Sequence, residues 1–304
     1  SYEQTIHAYP DGGGAYIVAR DNLGEIPALM AAAALLTDYV LTVAVSISSG
    51  VAQIVSAYPG LYAYRVELAV IFVLFVMFIN LRGVKESGTA FAIPTYFFIA
   101  MMFVTVGTGF FRYLTGSLGT VVNPPELDTA HAVAAITPFL ILHAFSSGTT
   151  ALTGVEAISN GITAFKAPKS RNAAATLVWD AALLMVMFLG LGVLGYLIGA
   201  QPSEQEVLIS QVSRTIYGPG FMQLLTLGSA TVILIMAANT SFADFPRLAA
   251  LQAGDGFLPR QFTFRGSRLV FSWGVIILAG LASLLLIVFA GSVSRLIPLY
   301  AIGV

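Results

Sequence analysis

The chain has 304 residues, 57% hydrophobic and only 10% charged, with a formal net charge of -1 and a mean hydropathy of +0.86. A soluble domain carries about a quarter charged residues, so this balance excludes one. With no Lys/Arg block there is no electrostatic footprint for nucleic acid. Zero cysteines exclude a disulfide framework, a thiol nucleophile and a Cys-ligated metal.

Residues 1–27 lack the basic start and apolar run of a signal peptide. Within them, Gly12-Gly13-Gly14 follows Pro10 and Asp11 without a preceding strand or GxGxxG spacing, and reads as a helix-terminating turn. Apolar runs then fall at 28–58, 66–81, 91–111, 136–164, 177–198, 220–243 and 270–290, near the roughly 20 residues that cross a bilayer. Each is expected to be helical, since period-2 alternation is absent and a helix satisfies its own backbone in lipid. An eighth run starts near Leu296 and reaches Val304, and the stretch from Ser1 reads as the tail of an earlier segment. Truncation at both ends is therefore expected. The whole chain, 1–304, is expected to be a single all-α, polytopic transmembrane bundle. With residues 1–27 in the cytoplasm, that face receives ten basic residues, while the other receives Arg65, Arg112, Arg214 and Arg295. The positive-inside rule selects this orientation in a cell membrane.

Charges within a span are costly and mark functional positions. Apart from Glu67 at the edge of its run, three carboxylates fall inside the runs above: Asp38, Glu156 and Asp180. Asp38 lies near the middle of its span, and helical spacing puts Thr42, Ser46 and roughly Ser49 on its stripe, with Tyr39 at the edge. One carboxylate followed by hydroxyls is the oxygen-rich surface a bare cation or an ammonium group needs. The competing reading is a small-residue helix interface with back-bonded hydroxyls. Around Glu156, the run Ser146-Ser147-Gly148-Thr149-Thr150 combines poor helix formers with a glycine. A broken helix is expected, unwound near Gly148 and resuming around Ala151, with Thr153 and Glu156 on one face of the second half. The alternative is a continuous helix with a protonated Glu156. Asp180, beside Trp179, reads as an interfacial ion-pair position facing Arg171 or another base.

Other motifs carry less. His7, His131 and His143 match no metal-ligand spacing, and His143 reads as an interface histidine or a vestibule residue. Thr105-Val106-Gly107-Thr108-Gly109 echoes a potassium-channel filter but has no separate pore helix before it. HExxH and GxSxG are absent, and Gln252-Ala253-Gly254-Asp255 lacks the first glycine of an intramembrane protease motif, so an enzyme is not expected.

AYPDGGGAYIVARDNLG, the DYVLT stripe, TALTGVEAISNGITAFKAPKSRNAA and AANTSFADFPRLAALQAGDGFLPRQF together resemble the amino acid-polyamine-organocation superfamily of permeases, and most of all its KUP-type potassium-importing branch. The resemblance implies two inverted five-helix repeats, here incomplete: the end of helix 2, helices 3 to 9 and the start of helix 10, without helix 1. It implies that Asp38, Tyr39, Thr42 and Thr153 bind potassium, and that Glu156 and Asp38 take part in proton coupling. Ser46, Thr149 and Thr150 join the expected ion-binding set. Proton-coupled potassium import by alternating access is the leading expectation, and proton-coupled amino acid uptake the alternative. Potassium and protons are expected as transported species, with no other cofactor; membrane lipid and a second copy of the chain are the expected partners.

Overall fold

The computed structural model is all-helical among its described residues, which are 2–9, 14–83, 88–125, 137–150, 153–154, 158, 162, 165–264, 266 and 271–303. The helices are α1 Tyr2–Ala8, α2 Gly14–Leu23, α3 Glu25–Ala57, α4 Arg65–Leu81, α5 Gly88–Leu114, α6 Pro138–Thr149, α7 Lys169–Ile198, α8 Leu208–Tyr217, α9 Phe221–Gly254, α10 Ser272–Val288 and α11 Val293–Gly303. Short 3-10 turns at Pro59–Tyr64 and Arg260–Thr263 complete them. Among the described residues, five stretches are long and apolar enough to cross a membrane: Glu25–Ala57, Pro59–Leu81, Phe91–Leu114, Lys169–Ile198 and Phe221–Gly254. Ser272–Val288 is apolar but shorter, at 17 residues.

Most runs become helices with the expected bounds, and two differ. The run 136–164 does not form one span, because α6 ends at Thr149 and a turn follows at 153–154. The run 220–243 continues as helix to Gly254. Charged residues stop a hydropathy count but do not stop a helix, and even Pro246 is absorbed within α9.

The core is built on α3 and α9, the most extensive pairing in the molecule. The two run antiparallel, since α2 leads into the start of α3 and also touches the end of α9. That touch is a hydrogen bond from the Tyr16 hydroxyl to Asp255 Oδ2 at 2.6 Å, with Arg20 Nη1 at 3.4 Å from the same oxygen. Burial, and then the Asp255 carboxylate, raise the Tyr16 phenol above its ordinary value, so the proton that makes this bond stays in place until the solution is strongly alkaline. Farther along, a Cβ at Gly50 of α3 would lie 3.6 Å from Leu234 Cβ and from the Thr231 carbonyl of α9. Ala44, Ile47, Ala238, Phe242, Leu278 and Ala282 belong to the main cluster, which joins α3, α9 and α10. A smaller cluster of Val106, Leu194, Ile198, Val212 and Ile216 ties α5, α7 and α8.

Small residues set the close approaches, as expected where lipid gives no hydrophobic drive between helices. Gly109, in the filter-like Thr105–Gly109 run, lies inside α5, where a Cβ would come within 2.7 Å of Leu194 Cδ1. The run is a packing surface: Thr105 donates to the Met101 carbonyl and accepts from the Tyr217 hydroxyl. At Gly274 of α10, a Cβ would sit 2.8 Å from the Pro246 Cα, a backbone atom that cannot swing away. Gly274→Ala is expected to destabilise the bundle by about 1–3 kcal/mol through overpacking. Gly280→Ala, on the same helix with nothing within 4 Å of its Cβ position, is expected to be neutral or to stabilise by about 0.5–1 kcal/mol. Thermal unfolding of the two variants in detergent checks the opposite signs.

Candidate functional site

Asp38 lies midway along α3 and is only 6% exposed. Because an α-helix repeats every 3.6 residues, Thr42 and Ser46 follow it along the same face. The structure brings Asp38, Tyr39, Thr42, Ser46 and Thr153 around one cavity of about 110 Å³. A second wall comes from α9, through Ala237, Thr240, Ser241 and Asp244, and Tyr300 of α11 closes one side. Thr42 Oγ1 and the Tyr300 hydroxyl are hydrogen-bonded at 2.9 Å, fixing α3 to α11 at the cavity.

Thr153 reaches the cavity because the chain breaks beside it. The helix α6 runs through Ser146, Ser147 and Gly148 and ends at Thr149, so the break falls later than the sequence predicts. Beyond it, among the described residues, Thr153 and Gly154 form a turn, where Gly154 has φ +92°, a left-handed conformation that L side chains rarely adopt. Serines and threonines are poor helix formers, but their hydroxyls can bond back to the preceding turn, so they weaken a helix without ending it. Here Thr150 Oγ1 donates to the Ser147 carbonyl at 2.6 Å, and Thr153 Oγ1 to the Thr150 carbonyl at 2.8 Å. A hydroxyl whose proton is given to the backbone keeps its lone pairs for another partner, which suits Thr153 as an oxygen ligand.

Other expected residues fall elsewhere. Thr150 caps the end of α6 and does not line the cavity. Glu156, the Thr149 side chain and His131 lie outside the described residues. Ser49 faces a separate cavity of about 530 Å³, with Ser48, Gln53 and Glu204. His143 is exposed on α6, its ring 6.4 Å from that of Phe139. Among the described residues Asp180 forms no ion pair, so the expected partner Arg171 is not its counter-charge; Trp179 beside it is 71% exposed.

Four polar residues of the cavity, Thr240, Ser241, Asp244 and Tyr300, escape the sequence reading. Asp244 is a further carboxylate within a span, hidden because the apolar run ends one residue before it. Its signal is the spacing of Thr240, Ser241 and Asp244, the same one-turn rhythm that marks Asp38 and Thr42. Tyr300 sits in the eighth run, where a tyrosine in an apolar segment is ordinary until the fold brings it to Thr42.

An oxygen-lined cavity beside a helix end, inside a bundle of long apolar helices, is the kind of place where membrane carriers hold their cargo. The profile of a family described as amino acid permease matches residues 3–304. The chain belongs to that family. The permease is also 48% identical, over all 304 of its residues, to a protein named potassium transporter KimA from Bacillus subtilis (strain 168), and spans 50% of that relative's length. Membership of a permease family agrees with the expectation that the chain is a carrier and not an enzyme.

If the Thr42–Tyr300 bond joins the two walls as the distance indicates, Thr42→Val and Tyr300→Phe will not add. A double-mutant cycle on thermal unfolding is expected to show a coupling of about 0.5–1.5 kcal/mol.

Proposed function

We propose that this permease is the transport core of a proton-coupled potassium importer that works by alternating access. The observation that carries the reading is the cavity itself: a buried carboxylate, Asp38, with oxygen from Tyr39, Thr42 and Thr153 around a volume of about 110 Å³. Pockets that enclose drug-sized ligands run to about 300–1,000 Å³, so this one suits a cation stripped of most of its water. Hydroxyl and carboxylate oxygens are hard ligands and suit a hard cation. The similarity to a protein named as a potassium transporter supports the same cargo.

In this reading Asp38 neutralises the ion, while Tyr39, Thr42 and Thr153 replace part of its hydration shell. Ser46 stands on the same stripe, with Thr149 and Thr150 at the end of α6. Glu156, a short way beyond the Thr153–Gly154 break, is protonated and released in alternation with the ion and supplies the coupling, with Asp38 sharing that role. The family's two inverted five-helix repeats would place α3 as helix 3, the broken segment as helix 6 and α9 as helix 8. Residues 1–27 face the cytoplasm, lipid covers the apolar faces of α4, α5 and α7, and a second copy of the chain is the expected protein partner.

Rubidium accumulation by proteoliposomes carrying the protein tests the cargo. Uptake that Asp38→Asn reduces by about two orders of magnitude is expected, since the substitution removes the only full charge on the α3 wall. Amino acid accumulation indifferent to potassium is the outcome that replaces this reading with the amino acid one. For the coupling, Glu156→Gln is expected to flatten the pH dependence of uptake; a variant with the wild-type pH profile overturns the role given to Glu156.

A further inference from the structure

We infer that Asp244 and Ser241 of α9 form the second half of the cation's ligand set, so that the ion sits between two carboxylates and not against α3 alone. The inference rests on the cation reading above and deepens it. Its first ground is register. Counting back from the approach of Gly50 to Thr231 and Leu234 along the two antiparallel helices brings Asp38 level with residues 243–246, a stretch that includes Asp244. The cavity between them is lined by Asp38, Thr42, Ser241 and Asp244 together.

The second ground is the state of the hydroxyls on α9. Thr226, Ser229, Thr231 and Thr240 each donate to a carbonyl of the preceding turn, at 2.7 to 2.9 Å. Ser241 does not: it is 1% exposed, faces the cavity, and makes no side-chain hydrogen bond among the described residues. A hydroxyl that faces the cavity and is not spent on its own helix keeps its oxygen available to a ligand there. Asp244 is held loosely by its own helix, with Arg247 Nη1 3.7 Å from Oδ1 and the Arg247 side chain 71% exposed. An exposed guanidinium at that distance is largely screened and leaves the carboxylate free to face a cation.

Charge supplies the third ground. Two ionised carboxylates across one small cavity repel each other, and either a proton on one of them or a cation between them relieves the repulsion. A monovalent cation satisfies both, and the hydroxyls of Ser241 and Thr42 then complete opposite sides of its shell. The register sets the two carboxylates at nearly the same depth in the bundle, within about two residues' rise of each other, so a single ion can meet both.

The experiment is equilibrium binding of rubidium to the purified protein in detergent, comparing wild type with Asp38→Asn, Asp244→Asn, Asp244→Glu and Ser241→Ala. Thermal unfolding of each variant identifies any that fails to fold. Expected are a loss of affinity of about tenfold or more in Asp244→Asn, partial recovery in Asp244→Glu, and a loss of about threefold to tenfold in Ser241→Ala. If Asp244→Asn does not fold, Ser241→Ala decides alone. Folded Asp244→Asn and Ser241→Ala that bind rubidium like wild type, while Asp38→Asn does not, overturn the two-walled site and leave the cation reading standing. Wild-type protein that binds no rubidium overturns both.

Discussion

A carboxylate in the middle of a membrane helix is the constraint around which the rest of this bundle is arranged. Asp38 cannot face lipid, because an ionised group in hydrocarbon is costly and its neighbours there offer no hydrogen bonds. It must point inward, and the inward face of α3 must therefore carry other polar groups. That is where Tyr39, Thr42 and Ser46 lie, and why the helix that packs most closely on α3 presents Ser241 and Asp244 at the same level. Apolar packing does the complementary job. Val43, Ala44 and Ile47 interleave with the polar stripe and seal α3 against α9 and α10, so the cavity stays small.

The antiparallel α3–α9 pair also explains why so many small residues are needed. Lipid is as apolar as any leucine, so helices in a membrane are held by close van der Waals contact and hydrogen bonds. Gly50 allows the α9 backbone to approach, Gly109 accepts Leu194, and Gly274 accepts Pro246. The last pairing has a second effect. Pro246 cannot donate to the Phe242 carbonyl, and this weak point in α9 is covered by a flat glycine face instead of being left exposed. Asp244 lies just before that point, and the Tyr16–Asp255 contact lies beyond it.

How much of this was legible in the residues depended on the range of the signal. The apolar runs and the Asp38 stripe are local, repeating within one or two turns, and they read directly as helices and as a polar face. The break after α6 was legible as a tendency but misplaced, because weak helix formers such as Ser146 and Ser147 can remain helical, whereas Gly154 adopts a backbone conformation closed to most residues. Asp244 was concealed by a boundary effect: hydropathy falls at the first charge, although the helix continues for about three more turns. Tyr300 had no local signal at all. Its role comes from a hydrogen bond to Thr42 across 258 positions of sequence, which only the fold supplies.

Back-bonded hydroxyls separate structural from ligand-facing oxygen more sharply than residue type does. Thr105, Thr226 and Thr231 give their protons to carbonyls of their own helices and lie in packed interfaces, where any further bond they make goes to a neighbouring helix and not to a cavity. Thr153 gives its proton in the same way but stands at a break beside a cavity, so its lone pairs have somewhere to point. Ser241 gives its proton to no described group, although it is more deeply buried than Thr153. Counting serines and threonines in a span therefore says little about where an ion would rest. What matters is which hydroxyls retain oxygen directed into a space that a carboxylate also faces, and in this bundle that condition is met where α3, α9, α11 and the end of α6 converge.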